Sequence, residues 1–183
     1  MVADFHTSIA LRRGRVHEVH GAGAMAFALI TTRSAAVLWI REAWRAEGLD
    51  PQGLIPFRPP EGLLLARPSD QTDALAVAEE ALKDGALPFV VLEVTRPLNL
   101  REGRRLQLAA KAGNSLGLCI IPEGMGSNAA ETRWRAEPVF DPLGQGMVVD
   151  WHLSKNKSGP LGTWRLAWEA QAGRMRVLAQ ASA

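Results

Sequence analysis

The stretch from residue 63 to residue 94 constrains the fold more than any other part of the sequence. It reads LLLA, then QTDALAVAEEALKDG, then PFVVLEV. The first and last runs are continuously apolar, which is typical of strands covered on both faces. Asp70 and Gly85 are candidates for the N-cap and C-cap of a helix between them. A strand, a helix and a strand at this spacing predict a parallel sheet with right-handed crossovers.

Shorter apolar runs and helical segments continue this pattern on both sides of that unit. Further strands are expected at 16–20, 35–40 and 116–121, and further helices at 24–33 and 100–112. Residues 41–51 begin like a helix, which Gly48 and Pro51 then end. The proline-rich and glycine-rich residues 51–62 are expected to form a loop.

The pattern changes after the glycine-rich stretch 122–131, where helical spacing gives way to alternation. In GTWRLAWE, Trp164, Leu166 and Trp168 share one strand face. We therefore expect antiparallel strands that extend the parallel sheet.

The predicted fold class is α/β, with a mostly parallel twisted sheet and helices on both faces. One domain is expected, in four parts: an N-terminal segment 1–14, a parallel part 15–121, a loop 122–131 and an antiparallel extension 132–183.

Composition excludes several classes of protein. The chain has 183 residues, of which 47% are hydrophobic and 22% charged, as in one ordinary globular domain. A net charge of +2 gives no general attraction to nucleic acid. The single cysteine, Cys119, lies in the apolar run LGLCII and fits a reducing compartment. No apolar window is long enough to span a membrane, so we expect a cytoplasmic protein without membrane association.

The sequence VHEVHGAGAMAFAL, at 16–29, runs from a strand through a Gly-Ala-Gly turn into a helix. Nucleotide-binding α/β proteins hold phosphate at such a turn, with a lysine for the phosphates and a hydroxyl for magnesium. Here the turn has Gly21 and Gly23 but neither of those side chains. We expect no catalysis, cofactor or metal, and a turn closed by three side chains where phosphate would lie: Ala22, Ala24 and Met25.

The sequence gives little support for a metal site or for a catalytic serine. His17 and His20 are three residues apart on a strand, so they point to opposite faces and do not form a paired metal site. No serine lies at a strand-to-helix nucleophile turn. An ATPase with an altered loop remains the enzyme alternative.

Basic residues that could contact DNA or a partner lie on three predicted elements: Arg104 and Arg105 on a helix, Arg133 and Arg135 on one strand face, and Lys155 and Lys157 on another strand. Solvated surface charge is an equally good interpretation. The loop 122–131 contains no basic or aromatic residue, whereas single-strand binding combines both. Direct DNA binding is therefore expected to be weak or absent, and salt-sensitive.

The chain contains six tryptophans, many for a domain of this size. Tryptophan is enriched at the energetic centres of protein interfaces. We interpret Trp44, Trp151 and Trp164 as candidates for a partner-binding surface, with burial in the core as the open alternative.

Several strings, in this order, resemble the ATPase core of the RecA recombinase family. VHEVHG is similar to the first strand before its phosphate loop, and residues 63–94 resemble the unit that ends at its magnesium-associated acidic residue. Glu93 falls at that acidic position, and Glu42 falls where the family has the glutamate that activates water. GSNAA, at 126–130, resembles the end of the second DNA-binding loop. HLSKNKSGPLGTW, at 152–164, resembles a late strand with a Lys-Asn-Lys triplet.

Within that superfamily, three strings are most similar to the ImuA group, accessory proteins of bacterial damage-induced mutagenesis: RGRVHEVHGAGA, RRLQLAAKAG and AAETRWR. The resemblance implies a RecA-like fold and a non-catalytic role in translesion synthesis. It implies as partners an ImuB-like protein and an error-prone replicative-type polymerase, with RecA as a further candidate. Glu42 and Glu93 would then be vestigial. SulA, the division inhibitor of the same SOS response, is less similar, and a SulA-like inhibitor is the alternative.

Overall fold

The computed structural model describes residues 11–141 and 146–182. The strands are β1 Arg15–His20, β2 Val37–Ile40, β3 Leu63–Ala66, β4 Phe89–Glu93, β5 Leu116–Ile120, β6 Thr132–Val139, β7 Val148–Asn156, β8 Gly162–Glu169 and β9 Arg174–Ser182. The helices are α1 Ala24–Thr31, α2 Pro51–Leu54, α3 Gln71–Asp84 and α4 Leu100–Gly113. Most of the predicted N-terminal segment 1–14 lies outside the described residues.

All these strands belong to one sheet in the order β3-β2-β4-β5-β1-β6-β7-β8-β9. The strands from β3 through β6 run parallel to their neighbours, and β7, β8 and β9 follow as antiparallel strands. The expected α/β class, with a mostly parallel sheet extended by C-terminal antiparallel strands, is therefore confirmed. The extension begins at β7 rather than at residue 132, because β6 pairs parallel with β1.

Helices cover both faces of the parallel part, as the continuous apolar runs require. On β4, Val91 packs in the same core cluster as Phe27 of α1. Its neighbours Val90 and Leu92 pack in the other cluster, with Ala78 of α3. Successive side chains of this strand therefore pack into two separate core clusters, one on each face of the sheet.

The predicted helix boundaries at α3 are confirmed in detail. The Asp70 carboxylate accepts a hydrogen bond from the backbone N–H of Asp73 at 2.9 Å. Gly85 ends the helix with a φ of +72°, a left-handed conformation that favours glycine. α4 begins with a reciprocal capping box between Asn99 and Glu102.

The helical start predicted for residues 41–51 is wrong. Residues 41–50 form no helix or strand, and a single turn, α2, occurs instead within the segment predicted as a loop. The Asp50 carboxylate caps this turn by accepting the backbone N–H of Gln52 at 3.1 Å. The side chains of Arg41 and Arg45 form ion pairs with Glu93 of β4. These tertiary contacts outweigh the helix propensity of the segment.

An aromatic cluster joins α1 to the antiparallel extension. The Phe27 ring lies 4.4 Å from the Trp151 ring and 5.6 Å from the Trp134 ring, and Trp134 lies 5.7 Å from Trp164. Trp151 and Trp164 are only 2% and 3% exposed. Their predicted place on a partner-binding surface is therefore wrong, because both lie on the inward face of their strands. Trp44, in contrast, is 66% exposed.

None of the helices within the described ranges has the length and apolar character needed to cross a bilayer.

Candidate functional site

The glycine turn lies directly against the middle of β6. Gly21 has a φ of +96°, and a side-chain carbon added there would lie 2.5 Å from the carbonyl oxygen of Ala136. Gly23, the N-cap residue of α1, donates its backbone N–H to that same carbonyl at 2.9 Å. The Ala136 carbonyl oxygen therefore binds the Gly23 N–H, a group that a phosphate-binding loop would donate to its anion.

The apolar side chains of the turn only partly follow the expectation. Ala24 is buried and Met25 is half-buried against the core, but Ala22 is exposed. Backbone from β6 closes the turn instead. That contact depends on the pairing of β1 with β6, which the local sequence does not encode.

Glu93, the last residue of β4, is 2% exposed, and two arginines and a tryptophan surround its carboxylate. We call these four residues the Glu93 site. The Arg45 Nη1 atom lies 2.7 Å from the Glu93 carboxylate, and the Arg41 Nε atom lies 3.4 Å away. The Trp39 indole N–H donates to the same carboxylate at 2.7 Å. Two guanidinium groups thus supply the positive charge that a buried carboxylate needs.

Glu42 lies near Glu93, because β2 and β4 are adjacent and parallel and their carboxyl ends meet at one edge of the sheet. It is 4% exposed, and its carboxylate accepts the Thr95 hydroxyl at 2.7 Å. The Gln71 side chain binds the same hydroxyl and the backbone N–H of Thr95. Glu42 is therefore hydrogen-bonded within the fold.

A third buried carboxylate, Glu18 of β1, holds the loop 122–131. It is 1% exposed, and it accepts the backbone N–H of Ser127 and the Arg133 Nε–H, both at 2.8 Å. Arg133 also donates to the Ser127 carbonyl oxygen at 2.9 Å. On the other side of the loop, Ser127 packs against Gly103 of α4, where a side chain would not fit.

Two lysines of the predicted triplet bind the same loop. Lys155 donates to the carbonyl oxygens of Ser127 and Asn128 at 3.1 and 2.9 Å. Lys157 donates to the Ala129 carbonyl oxygen at 2.7 Å. Burial lowers the pKa of the Lys155 ammonium, and the nearby charges of Arg133 and Lys157 lower it further. We call Glu18, Arg133, Lys155 and Lys157 the loop clasp.

The structure therefore brings together three of the six basic residues predicted to contact DNA or a partner, but around a loop of the chain itself. The other three lie elsewhere. Arg104 is exposed on α4, Arg105 pairs with Glu79 of α3 at 2.6 Å, and Arg135 pairs with Glu137 at 3.1 Å.

The two histidines of β1 are buried, and burial disfavours the charged form of each imidazole. The His17 Nδ1 atom lies 2.7 Å from the Thr132 hydroxyl, and burial lowers the pKa of His17 to about 4. Burial also lowers the pKa of His20. Within residues 11–141 and 146–182, no three metal-binding side chains come together.

Sequence reasoning missed Arg41, Arg45 and Glu18. A signal for Glu18 was present, because a glutamate in the middle of a strand covered on both faces must have a partner. The two arginines gave no such signal, since they lie in a segment that begins like a helix.

A scan against models of known protein families gives no match for this chain, and a search of curated proteins gives none either. Three features define the site. The Ala136 carbonyl oxygen closes the glycine turn. Two arginines neutralise Glu93, and the basic residues of the loop clasp bind the loop 122–131.

Proposed function

We propose that the protein is a non-catalytic RecA-like accessory protein of DNA-damage-induced translesion synthesis. It acts as a binding module for an ImuB-like protein and an error-prone replicative-type polymerase. The observation that carries the proposal is the pairing of Glu93 with Arg41 and Arg45.

Glu93 stands at the position where the resemblance puts a magnesium-associated carboxylate. A divalent cation there would have to displace two guanidinium groups, and these would remain as like charges beside it. Arg41 is 4% exposed, so it has no route to water without a change in the fold. The residues present do not fit a magnesium ion.

The glycine turn also lacks the groups that bind and stabilise a transferred phosphoryl group. It offers no lysine and no hydroxyl, and the Gly23 amide is already bonded to Ala136. Phosphoryl transfer depends almost entirely on such charges and on the metal. These observations support a role without ATP hydrolysis.

The Glu93 site supports binding in another way, by fixing the segment that carries Trp44. Arg41 and Arg45 anchor the segment on Glu93, and Arg67 donates to the carbonyl oxygens of Ala43 and Arg45 at 2.7 and 3.2 Å. Trp44 lies between these anchors with its ring exposed. A tryptophan on a segment held in this way is a strong anchor for a partner, because little backbone entropy is lost on binding.

Co-purification with an ImuB-like protein tests this proposal. We expect the wild-type protein to be captured, and Trp44→Ala to weaken capture about tenfold or more, as loss of an interface anchor does. Leu108→Ala is the matched control, because Leu108 is 68% exposed on α4 and belongs to no site described above. Failure of the wild-type protein to be captured would count against the proposal.

Two further assays address the alternatives. Titration with magnesium and millimolar ATP should give neither saturable heat nor turnover, and either result would revive the ATPase. Overexpression should leave cell division normal, whereas filamentous cells would favour a SulA-like inhibitor.

A further inference from the structure

Two helices that lie side by side on one face of the sheet carry opposite charges on their outer sides. α3 and α4 pack into the same core cluster, which contains Ala78 of α3 and Leu106 of α4. Each helix leads from the carboxyl end of one parallel strand to the amino end of a later one, so the two run in the same direction. Their sides away from the sheet therefore form one two-helix surface.

The outer side of α4 is basic. Arg101, Arg104 and Lys111 are exposed, and their spacing of three and seven residues places them on one side of the helix. Within the described residues, none of these three side chains has an ion-pair partner. Cations without counter-charges make this side of the helix attractive to a negatively charged surface.

The outer side of α3 is acidic. Asp73, Glu80 and Asp84 are exposed and lie seven and four residues apart, so they share one side of the helix. Lys83 adds the one cation of this helix. A polyanion such as nucleic acid would meet these carboxylates when it lay on α4, and like charges in contact are costly. The partner that fits the whole surface must itself carry both signs of charge, side by side.

We propose that this two-helix surface is a dimer interface, in which α4 of each copy of the chain lies over α3 of the other. A two-fold axis that runs between the helices and parallel to them produces this arrangement. Each basic side then faces an acidic one, and both halves of the interface are the same patch, as two-fold symmetry requires. A two-fold axis across the helices would instead place α4 over α4 and bring like charges together.

The symmetry also determines which residues meet. Rotation about an axis parallel to the helices leaves each residue at its own height along them, so residues of equal height on α3 and α4 face each other across the interface. Two contacts within the chain set these heights. The Arg105 Nη2 atom lies 2.6 Å from the Glu79 carboxylate. Gly113 packs so closely on α3 that an added side-chain carbon would lie 2.7 Å from the Lys83 carbonyl oxygen.

Opposite charges lie at matching heights near both ends of the surface. Counted from these two contacts with a rise of about 1.5 Å per residue, Arg101 lies within about 3 Å of the height of Asp73. On the same count, Lys111 lies within about 5 Å of the height of Asp84. The long side chains of arginine and lysine span such offsets. Each pair occurs twice in the dimer, because the two halves are identical.

Sedimentation of the full chain over a range of concentrations tests the proposal. The wild-type protein should form a concentration-dependent dimer that weakens as salt is added, because salt screens exposed charges. Lys111→Glu and Asp84→Lys each place like charges opposite one another, and each should weaken the dimer about tenfold or more. An equimolar mixture of the two variants should restore it, because opposite charges then meet again. A wild-type monomer at millimolar concentration in low salt, a dimer unchanged by Lys111→Glu, or variants that stay monomeric when mixed would overturn the proposal.

Engineered cysteines test the arrangement of the helices without charge reversal. Arg101→Cys mixed with Asp73→Cys should give a disulfide-linked dimer under oxidation by copper-phenanthroline, whereas either variant alone should not, because identical positions do not face each other. Cys119 is buried, and burial raises the pKa of its thiol, so it does not compete. Arg174→Cys, on β9, is the control partner for Asp73→Cys. Equal cross-linking of Asp73→Cys with Arg101→Cys and with Arg174→Cys would also overturn the proposal.

Discussion

The Glu93 site and the loop clasp both centre on a buried carboxylate, but they satisfy it differently. Glu93 is bound by two guanidinium groups and an indole N–H, all from residues 39–45. Glu18 is bound by one guanidinium group and by a backbone N–H of the loop it holds. The first site therefore neutralises charge locally, whereas the second uses charge to order a distant segment.

The proposed role, that of a RecA-like protein without catalysis, is compatible with both arrangements. A carboxylate in the interior must be paired whether or not a ligand is present. At the Glu93 site, arginines take the place that the resemblance gives to a metal. At the loop clasp, basic residues that were predicted as candidate contacts to DNA or a partner bind the chain itself. Breaking the first site should weaken the whole fold, and breaking the second should chiefly release the loop.

The largest effect is expected from Arg41→Ala. The substitution removes one of the two guanidinium groups beside the buried Glu93 carboxylate. Because Arg45 remains at 2.7 Å, we expect a cost of about 3 kcal/mol, the lower end of the range for breaking a buried ion pair. Urea unfolding measures the change. Arg105→Ala, which breaks an ion pair whose arginine is 61% exposed, is the control and should cost less than about 1 kcal/mol. Equal losses in the free energy of unfolding for the two variants would contradict the claim that the buried ion pair contributes more than the exposed one.

Acid should weaken the β1–β6 side of the molecule through His17, which precedes Glu18. Its folded pKa is about 4, below the unfolded value of 6.5, so the unfolded state binds the extra proton. Stability is present above pH 6.5 and is lost as the pH falls toward 4, by about 3 kcal/mol at most. The pH dependence of urea unfolding measures this loss.

His17→Gln is the control for that prediction, because it removes the titrating ring. Burial also lowers the pKa of His20, but His20 is present in both the wild-type protein and the variant. The difference between the two pH profiles therefore isolates His17. Parallel profiles would mean that folding does not lower the pKa of His17, which would contradict the prediction.

Arg133→Ala should have a smaller effect than Arg41→Ala, since the Arg133 side chain is 23% exposed and water can take its place beside Glu18, whereas the Arg41 side chain is 4% exposed. We expect a loss of about 2 kcal/mol in the free energy of unfolding, as for a charged hydrogen bond. Hydrogen exchange in residues 122–131 should increase more than exchange in β4. Unchanged exchange in that loop would show that the clasp does not hold it.

Lys155→Ala should have the smallest effect, about 1 kcal/mol or less, since the lysine is partly exposed and donates to carbonyl oxygens near the surface. Exchange should rise at Ser127 to Ala129 and nowhere else. If exchange rises equally along β7, the lysine stabilises the strand rather than the loop.

The strands and long helices were predictable from the sequence because their signals are local. Apolar runs identified β4 and β5, and Asp70 with Gly85 fixed the ends of α3. The same local alternation placed Trp164 beside Leu166 and Trp168 on one face, and that face is the buried one. Reading Trp164 as a surface residue overlooked what its own strand pattern indicated.

The arrangement of both sites was not predictable, because it depends on contacts between distant segments. Arg41 and Arg45 look like the start of a helix until β2 lies beside β4 and Glu93 comes within reach. Lys155 looks like free surface charge until β7 pairs with β6 and brings it to the loop. No window of sequence contains either pairing.

The most direct test of the Glu93 site follows the Trp39 indole signal by NMR while manganese-ATP is added. The Trp39 indole N–H donates to the Glu93 carboxylate at 2.7 Å, so a paramagnetic ion bound at that carboxylate would broaden it strongly. The exposed Trp44 indole reports non-specific effects of the ion. With arginines in place of the metal, the Trp39 signal should keep its width at every manganese-ATP concentration at which Trp44 keeps its own. Saturable broadening of Trp39 ahead of Trp44 would contradict the account.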